Sequence, residues 1–102
     1  MNGEAPTATD AATGAATDTA TPRLSPGFRL QFEPAQDARV LLYPEGMVKL
    51  NASAGEILVR CDGVRTAAQI VADLEQAFQR SGLHDDVLGF LTLARRQGWV
   101  TL

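Results

Sequence analysis

Residues 41–63 read LLYPEGMVKLNASAGEILVRCDG, and the way this stretch is parsed decides the fold. Val40, Leu41, Leu42 and Tyr43 form an apolar, β-favouring run that stops at Pro44-Glu45-Gly46. Proline presets φ and glycine tolerates a positive φ, which together reverse a chain. Met47, Val48, Lys49 and Leu50 resume the extended pattern. Ser53 and Glu56 then stand at capping-box spacing, predicting a helix from about Ser53 to Cys61 that Asp62-Gly63 brings to an end. A strand that leads straight into a helix, with no reactive side chain between, predicts a binding surface.

Working outward, Phe28, Leu30 and Phe32 alternate with Arg29, Gln31 and Glu33, the period of a strand with one buried face. Pro34 to Asp37 is a polar turn, so three strands follow one another as an antiparallel meander. Its first and third strands are edges, which proteins either blunt or use. A second helix opens at Thr66 and Gln69, again with capping-box spacing, carries Ile70, Val71, Leu74 and Phe78 as its apolar stripe, and ends at Ser81-Gly82. A third opens near Asp85, whose carboxylate suits both a cap and the positive end of the helix dipole, and Gly98 stops it. Its apolar positions, Val87, Leu88, Phe90, Leu91, Leu93 and Ala94, go more than halfway round the cylinder. Such a helix is either buried on two sides, or packs one side on the core and lines a groove with the other. The pattern predicts a small α+β domain, a three-stranded antiparallel sheet followed by three helices, of winged-helix-like type.

Upstream, residues 1–21 hold seven Ala and six Thr, with no large apolar residue after Met1. Such a segment cannot bury enough surface to offset backbone ordering, so residues 1–22 are expected to be a disordered tail or linker and 23–102 the folded domain. It has neither the basic start nor the apolar core of a secretory signal, and no run in the chain is long enough to span a membrane. All nine Lys and Arg and nine of the twelve acids lie in the domain, which is formally neutral, while Glu4, Asp10 and Asp18 give the tail the net −3. A neutral domain offers little to a polyphosphate backbone. One cysteine excludes an internal disulfide and fits a reducing, cytoplasmic setting.

Chemistry-bearing residues are few. Cys61 lacks a second thiol and reads as a buried, inert side chain. His84, beside Asp85 and Asp86, does not make a ligand set, so no metal is expected. No phosphate-binding glycine loop appears, Ser53 has no plausible base, and no cofactor or enzymatic activity is expected. Winged-helix architecture raises a DNA-binding regulator as the alternative. The third helix argues against it, since it begins with two aspartates and then displays aliphatics rather than base-reading side chains.

The stretches GFRLQFEPAQDA, LLYPEGMVKLN, SAGEIL, RCDG and RRQGWV carry a resemblance to the PqqD family of pyrroloquinoline quinone biosynthesis, covering about Leu24 to Leu102. LLYPEG followed by LNASAGEIL is its most specific part. The resemblance implies a peptide chaperone, a recognition element that binds the precursor peptide PqqA. It further implies presentation of PqqA to PqqE, a radical S-adenosylmethionine enzyme that cross-links a Glu to a Tyr within the peptide. In related elements the peptide lies as an added strand on the third strand, beside the third helix. That places Met47, Val48, Lys49 and Leu50 on the strand side. Helical spacing selects Val87, Leu88, Leu91 and Arg95 for the helix side. Some relatives are fused behind another pathway enzyme, and the Ala/Thr segment looks like a linker of that kind.

Overall fold

The structure is a computed structural model that describes residues 15–102. Five strands and three helices follow in the order β1 (Arg23–Leu24), β2 (Arg29–Glu33), β3 (Ala38–Tyr43), β4 (Gly46–Lys49), α1 (Ala52–Val59), α2 (Ala67–Phe78), α3 (His84–Arg96) and β5 (Val100–Thr101). β2, β3 and β4 form the expected meander with β3 in the centre. Pro44-Glu45 is the two-residue connection between the paired Tyr43 and Gly46. The Tyr43 ring stacks on Phe28 with centroids 5.2 Å apart. Paired residues share a face, so Leu41, Val48 and Leu50 point toward the helices with Leu30.

Leu41, Leu58, Ile70, Leu91 and Val100 are fully buried where sheet and helices meet. Cys61 is part of this core, and its thiol donates to the Ile57 carbonyl at 3.3 Å. Burial pushes that thiol up to about 12, which makes it the inert group expected. Phe32 departs from the expected buried face and is 52% exposed. α1 packs on the central strand, and Phe32 lines an open cavity of about 210 Å³ together with Arg39, its partner on β3, and Gly55 of α1. A Cβ at Gly55 would stand 3.3 Å from the Arg39 side chain, so α1 passes close to that side chain here.

The helix ends differ in detail from the expected ones. α1 starts at Ala52 because Asn51 is its cap, accepting from the Ala54 N–H at 2.8 Å. Ser53 and Glu56 therefore lie inside the helix and form no capping box. α2 has the expected box: Thr66 accepts from the Gln69 N–H at 3.1 Å, and Gln69 accepts from the Thr66 N–H at 2.8 Å. It stops at Gln79, in the left-handed conformation with φ 52°, before reaching Ser81-Gly82. At the start of α3 no side chain caps the backbone, with Leu83 in the cap position. Asp85 and Asp86 sit in the first turn and Arg95 and Arg96 in the last, where each sign opposes the helix dipole.

Freed from capping, Glu56 joins three elements. It accepts from Arg39 of β3 at 3.2 Å and from Arg60 at 2.8 Å, and Arg60 also reaches Asp73 of α2 at 2.6 Å. The Arg60 hydrogen bond, ahead of the contribution of Arg39, holds the Glu56 carboxyl below its ordinary 4.5.

Two further features carry no periodic signal in the sequence. β1 pairs with β5, Arg23 opposite Thr101 and Leu24 opposite Val100, which ties the two ends of the domain together. In addition, residues 15–22, assigned from composition to a tail, run along the helices. The Ala20 and Asp18 carbonyls accept from the Ala67 and Ala68 N–H groups at 2.8 and 3.0 Å, satisfying donors that a helix start leaves without partners. The Ala16 N–H donates to Thr92 Oγ1 at 3.0 Å, Asp18 meets His84 at 2.7 Å, and Pro22 is fully buried. This strap is seated by backbone bonds, which Ala and Thr can supply as well as any residue. The rest of the expected tail, residues 1–14, lies outside the described residues.

Two outcomes follow from this packing. A chain starting at residue 15 should melt like the full chain, whereas one starting at residue 23 should melt on the order of 10 °C lower in calorimetry, having lost the strap's bonds and Pro22. Because the folded Glu56 carboxyl lies below its unfolded value, its contribution is complete above pH 4.5 and fades as pH falls through the lowered value. Glu56→Gln should therefore be less stable than the parent at neutral pH, and acid titrations of the two proteins should converge below that window.

Candidate functional site

The hydrogen-bond alternation of the sheet determines what its edge offers. The Leu50 N–H donates to the Arg39 carbonyl at 3.1 Å, so Arg39 and Leu50 are a hydrogen-bonded pair. In an antiparallel ladder such pairs alternate with pairs whose backbone groups face away. From the register, Leu41–Val48 and Tyr43–Gly46 are the other bonded pairs, and the N–H and C=O of Met47 and Lys49 turn outward. Among the described residues, no element pairs with that side of β4. The Met47 side chain is 56% exposed, and Lys49 is exposed beside it. Val48, half-buried, packs against the core.

The strand residues expected at the site thus divide into two groups. Met47 and Lys49 present backbone donors and acceptors, while Val48 and Leu50 spend theirs inside the sheet. Leu50 is also a core side chain.

On α3 the expected set is corrected in part. Val87 and Leu91 are 3% and 0% exposed and, with Ala94, form the stripe that fills the core; Leu91 is sealed there, while Val87 also reaches the wall of a cavity at the start of α1. Leu88 and Arg95 are half-buried. They share a flank with Thr92, whose hydroxyl donates to the Leu88 carbonyl and accepts from the strap at Ala16. The opposite flank, by helical spacing, carries Asp86, Phe90 and Leu93. Asp86 lies on the rim of a cavity of about 430 Å³ that Ala52 and Ser53 at the start of α1 also line. Of this flank, Asp86 alone reaches that cavity, beside the start of α1, which begins just after β4 ends. Leu93 is 45% exposed, and Phe90 tilts against Trp99 with centroids 6.4 Å apart. Sequence reasoning had the apolar width of α3 but lacked the signal for choosing a flank, because that depends on where the strap and α1 lie.

His84, held between Asp85 at 2.9 Å and Asp18 at 2.7 Å, is exposed and favours its protonated form through those two carboxylates. Among the described residues no group of three or more His, Cys, Asp or Glu could hold a metal ion, and no helix is long and apolar enough to cross a membrane.

Comparison with known proteins gives a consistent set of similarities. The family model described as "Coenzyme PQQ synthesis protein D (PqqD)" matches residues 38–100. A "PqqA binding protein" of Pseudomonas aeruginosa (strain UCBPP-PA14) is 58% identical over 82 residues, covering 79% of this chain and 89% of that protein. A protein of the same description from Azotobacter vinelandii is 56% identical with the same coverage. Among solved structures, the solution NMR structure of the PqqD truncation of Methylobacterium extorquens PqqCD superposes with a TM-score of 0.76 at 28% identity. It covers 88% of this chain and 98% of the other. That protein is described as a functional and stand-alone recognition element for ribosomally synthesized and post-translationally modified peptides.

The position of Leu91 makes a sharp forecast. Leu91→Asp should unfold the domain in circular dichroism, because a fully buried carboxylate without a partner costs several kcal/mol or more. Leu93→Asp, on the exposed flank, should fold as the parent does.

Proposed function

The chain belongs to the PqqD family, and we propose that it binds the precursor peptide PqqA as an added strand on the free edge of β4 beside α3. One observation carries this reading: the outward N–H and C=O groups of Met47 and Lys49 lie at an edge with which, among the described residues, no element pairs. An extended peptide satisfies those groups, each net hydrogen bond contributing about 0.5–1.5 kcal/mol. Side chains alternate along a strand, so every second peptide residue faces Val48, Phe90 and Leu93, where apolar groups are preferred. The chain supplies binding and no chemistry. Presentation to PqqE, the radical S-adenosylmethionine enzyme that cross-links a Glu to a Tyr, is the use of that binding implied by the family resemblance.

Proline scanning with a PqqA peptide tests the strand mechanism. Met47→Pro and Lys49→Pro each delete an outward donor and should weaken binding by roughly tenfold or more while the domain stays folded. Val48→Pro deletes a donor of the Leu41–Val48 pair and should destabilise the sheet itself. The Met47 and Lys49 amides should exchange rapidly in the free protein and become protected with peptide. Protection already present without peptide, or full affinity in both outward proline variants, would overturn the proposal.

A further inference from the structure

His84 joins the strap of residues 15–22 to α3 through a contact that its proton decides. Its Nε2 stands 2.7 Å from Oδ1 of Asp18, on the strap, and its Nδ1 stands 2.9 Å from Oδ1 of Asp85, on its own helix. Carboxylate oxygens only accept hydrogen bonds, so each ring nitrogen has to donate. A neutral imidazole carries one N–H and the imidazolium two, so this arrangement is that of the charged ring. Asp85 and Asp18 accordingly hold the His84 pKa above its ordinary 6.5. Among the described residues, His84 is the one basic group within ion-pair distance of Asp18. The other charged groups nearby come from the elements packed around it. Asp86 shares the first turn of α3, and Glu75 of α2 accepts from the Leu83 N–H at 3.0 Å. Arg80, in the connection between the two helices, lines the cavity of about 430 Å³ with Asp86.

We propose that His84 is a pH-sensitive latch: residues 15–18 of the strap lie on α3 while its ring is protonated and lift away when the proton leaves. The strap divides into two halves at this point. Its later half is anchored by groups that do not titrate. The Ala20 carbonyl accepts from the Ala67 N–H, the Pro22 carbonyl accepts from the Gly63 N–H at 2.9 Å, and the Pro22 ring is fully buried. Its earlier half has the Asp18 carbonyl on the Ala68 N–H, the Ala16 N–H on Thr92 Oγ1, and the latch. Once the ring is neutral the ion pair is gone, and in either tautomer one nitrogen turns its lone pair to a carboxylate. Both side chains of the pair are more than half exposed, so solvent screens it and its contribution is modest. That suits a local opening which leaves the core intact. The raised pKa fixes the sign: the latch is complete below pH 6.5 and fades as pH rises through the raised value. Closed, the strap meets the domain as far as Thr92 on α3; open, its last seated bonds are those at the start of α2. Protonation thus selects where the preceding chain is attached.

An NMR titration of the full chain from about pH 5 to about pH 9, following the His84 ring and the solvent exchange of single amides, tests this. Corrected for base catalysis, the Ala68 amide should lose protection as the ring deprotonates, whereas the Gly63 amide, bonded to Pro22, should keep its own. Asp18→Asn should lower the His84 midpoint. By linkage, Ala68 protection in the parent should fall by the factor which that lowering represents, about tenfold per pH unit. Asp85→Asn removes a partner on the same helix, so it should also lower the midpoint while the strap still responds. His84→Gln should abolish the response of Ala68, with the remaining amide spectrum that of a folded domain. Three results would each overturn the proposal: an unchanged His84 midpoint in Asp18→Asn, constant Ala68 protection across the titration, or the parent's loss of protection in His84→Gln. Peptide affinity enters none of these readings, so the latch and the peptide site are tested separately.

Discussion

The central strand β3 can bond only one neighbour with each residue, and the rest of the architecture depends on that constraint. Arg39, Leu41 and Tyr43 are committed to β4, and Ala38, Val40 and Leu42 to β2. Once Leu50 is bonded to Arg39, the orientation of every backbone group in the outer strands follows. Met47 and Lys49 open one edge, and Leu30 and Phe32 the other. Side-chain faces are set at the same time, because a one-residue slip would turn Leu41, Val48 and Leu50 out of the core. Edge chemistry and core packing are thus two consequences of one register.

The helices hold that register in place and divide the surface of α3 between tasks. Its Val87, Leu91 and Ala94 stripe closes the core. One flank receives the strap of residues 15–22 at Thr92, and the other exposes Leu93 and carries the half-buried Phe90 against Trp99. Glu56 links β3, α1 and α2 through Arg39 and Arg60, so the sheet and the first two helices are joined by charge as well as by burial. Such partly exposed ion pairs contribute modestly to stability, and their clearer effect here is to fix how α1 crosses the central strand.

A surface of this kind suits recognition of an extended peptide. Backbone hydrogen bonds provide attraction without reading sequence, and a few apolar contacts beside them supply selectivity. The polar groups elsewhere are engaged in structure: Cys61 is sealed in the core, Asn51 and Thr66 cap helices, and Asp18 and His84 hold the strap. Residues 23–102 are formally neutral within a chain of net charge −3, so this part of the molecule lacks a strong field.

Local chemistry made much of this readable in the sequence. The Pro44-Glu45 turn, the meander, three helices, the Thr66–Gln69 box and the inert Cys61 all depend on residues within a few positions of one another, or on a periodicity that one strand or helix displays alone. The first cap was misassigned because Asn51 and Ser53 are both good caps, and the choice between them was made by where β4 hands over to α1. Three things were decided only by tertiary structure. The two-residue strands β1 and β5 are too short to show a period, and residues 15–22 are held by backbone bonds that leave no trace in composition. The apolar width of α3 allowed either of its flanks to be the exposed one, and Leu91 or Leu93 to be core. Periodicity specifies that a helix has a buried side, but which residues that side contains is set by the neighbours that cover it.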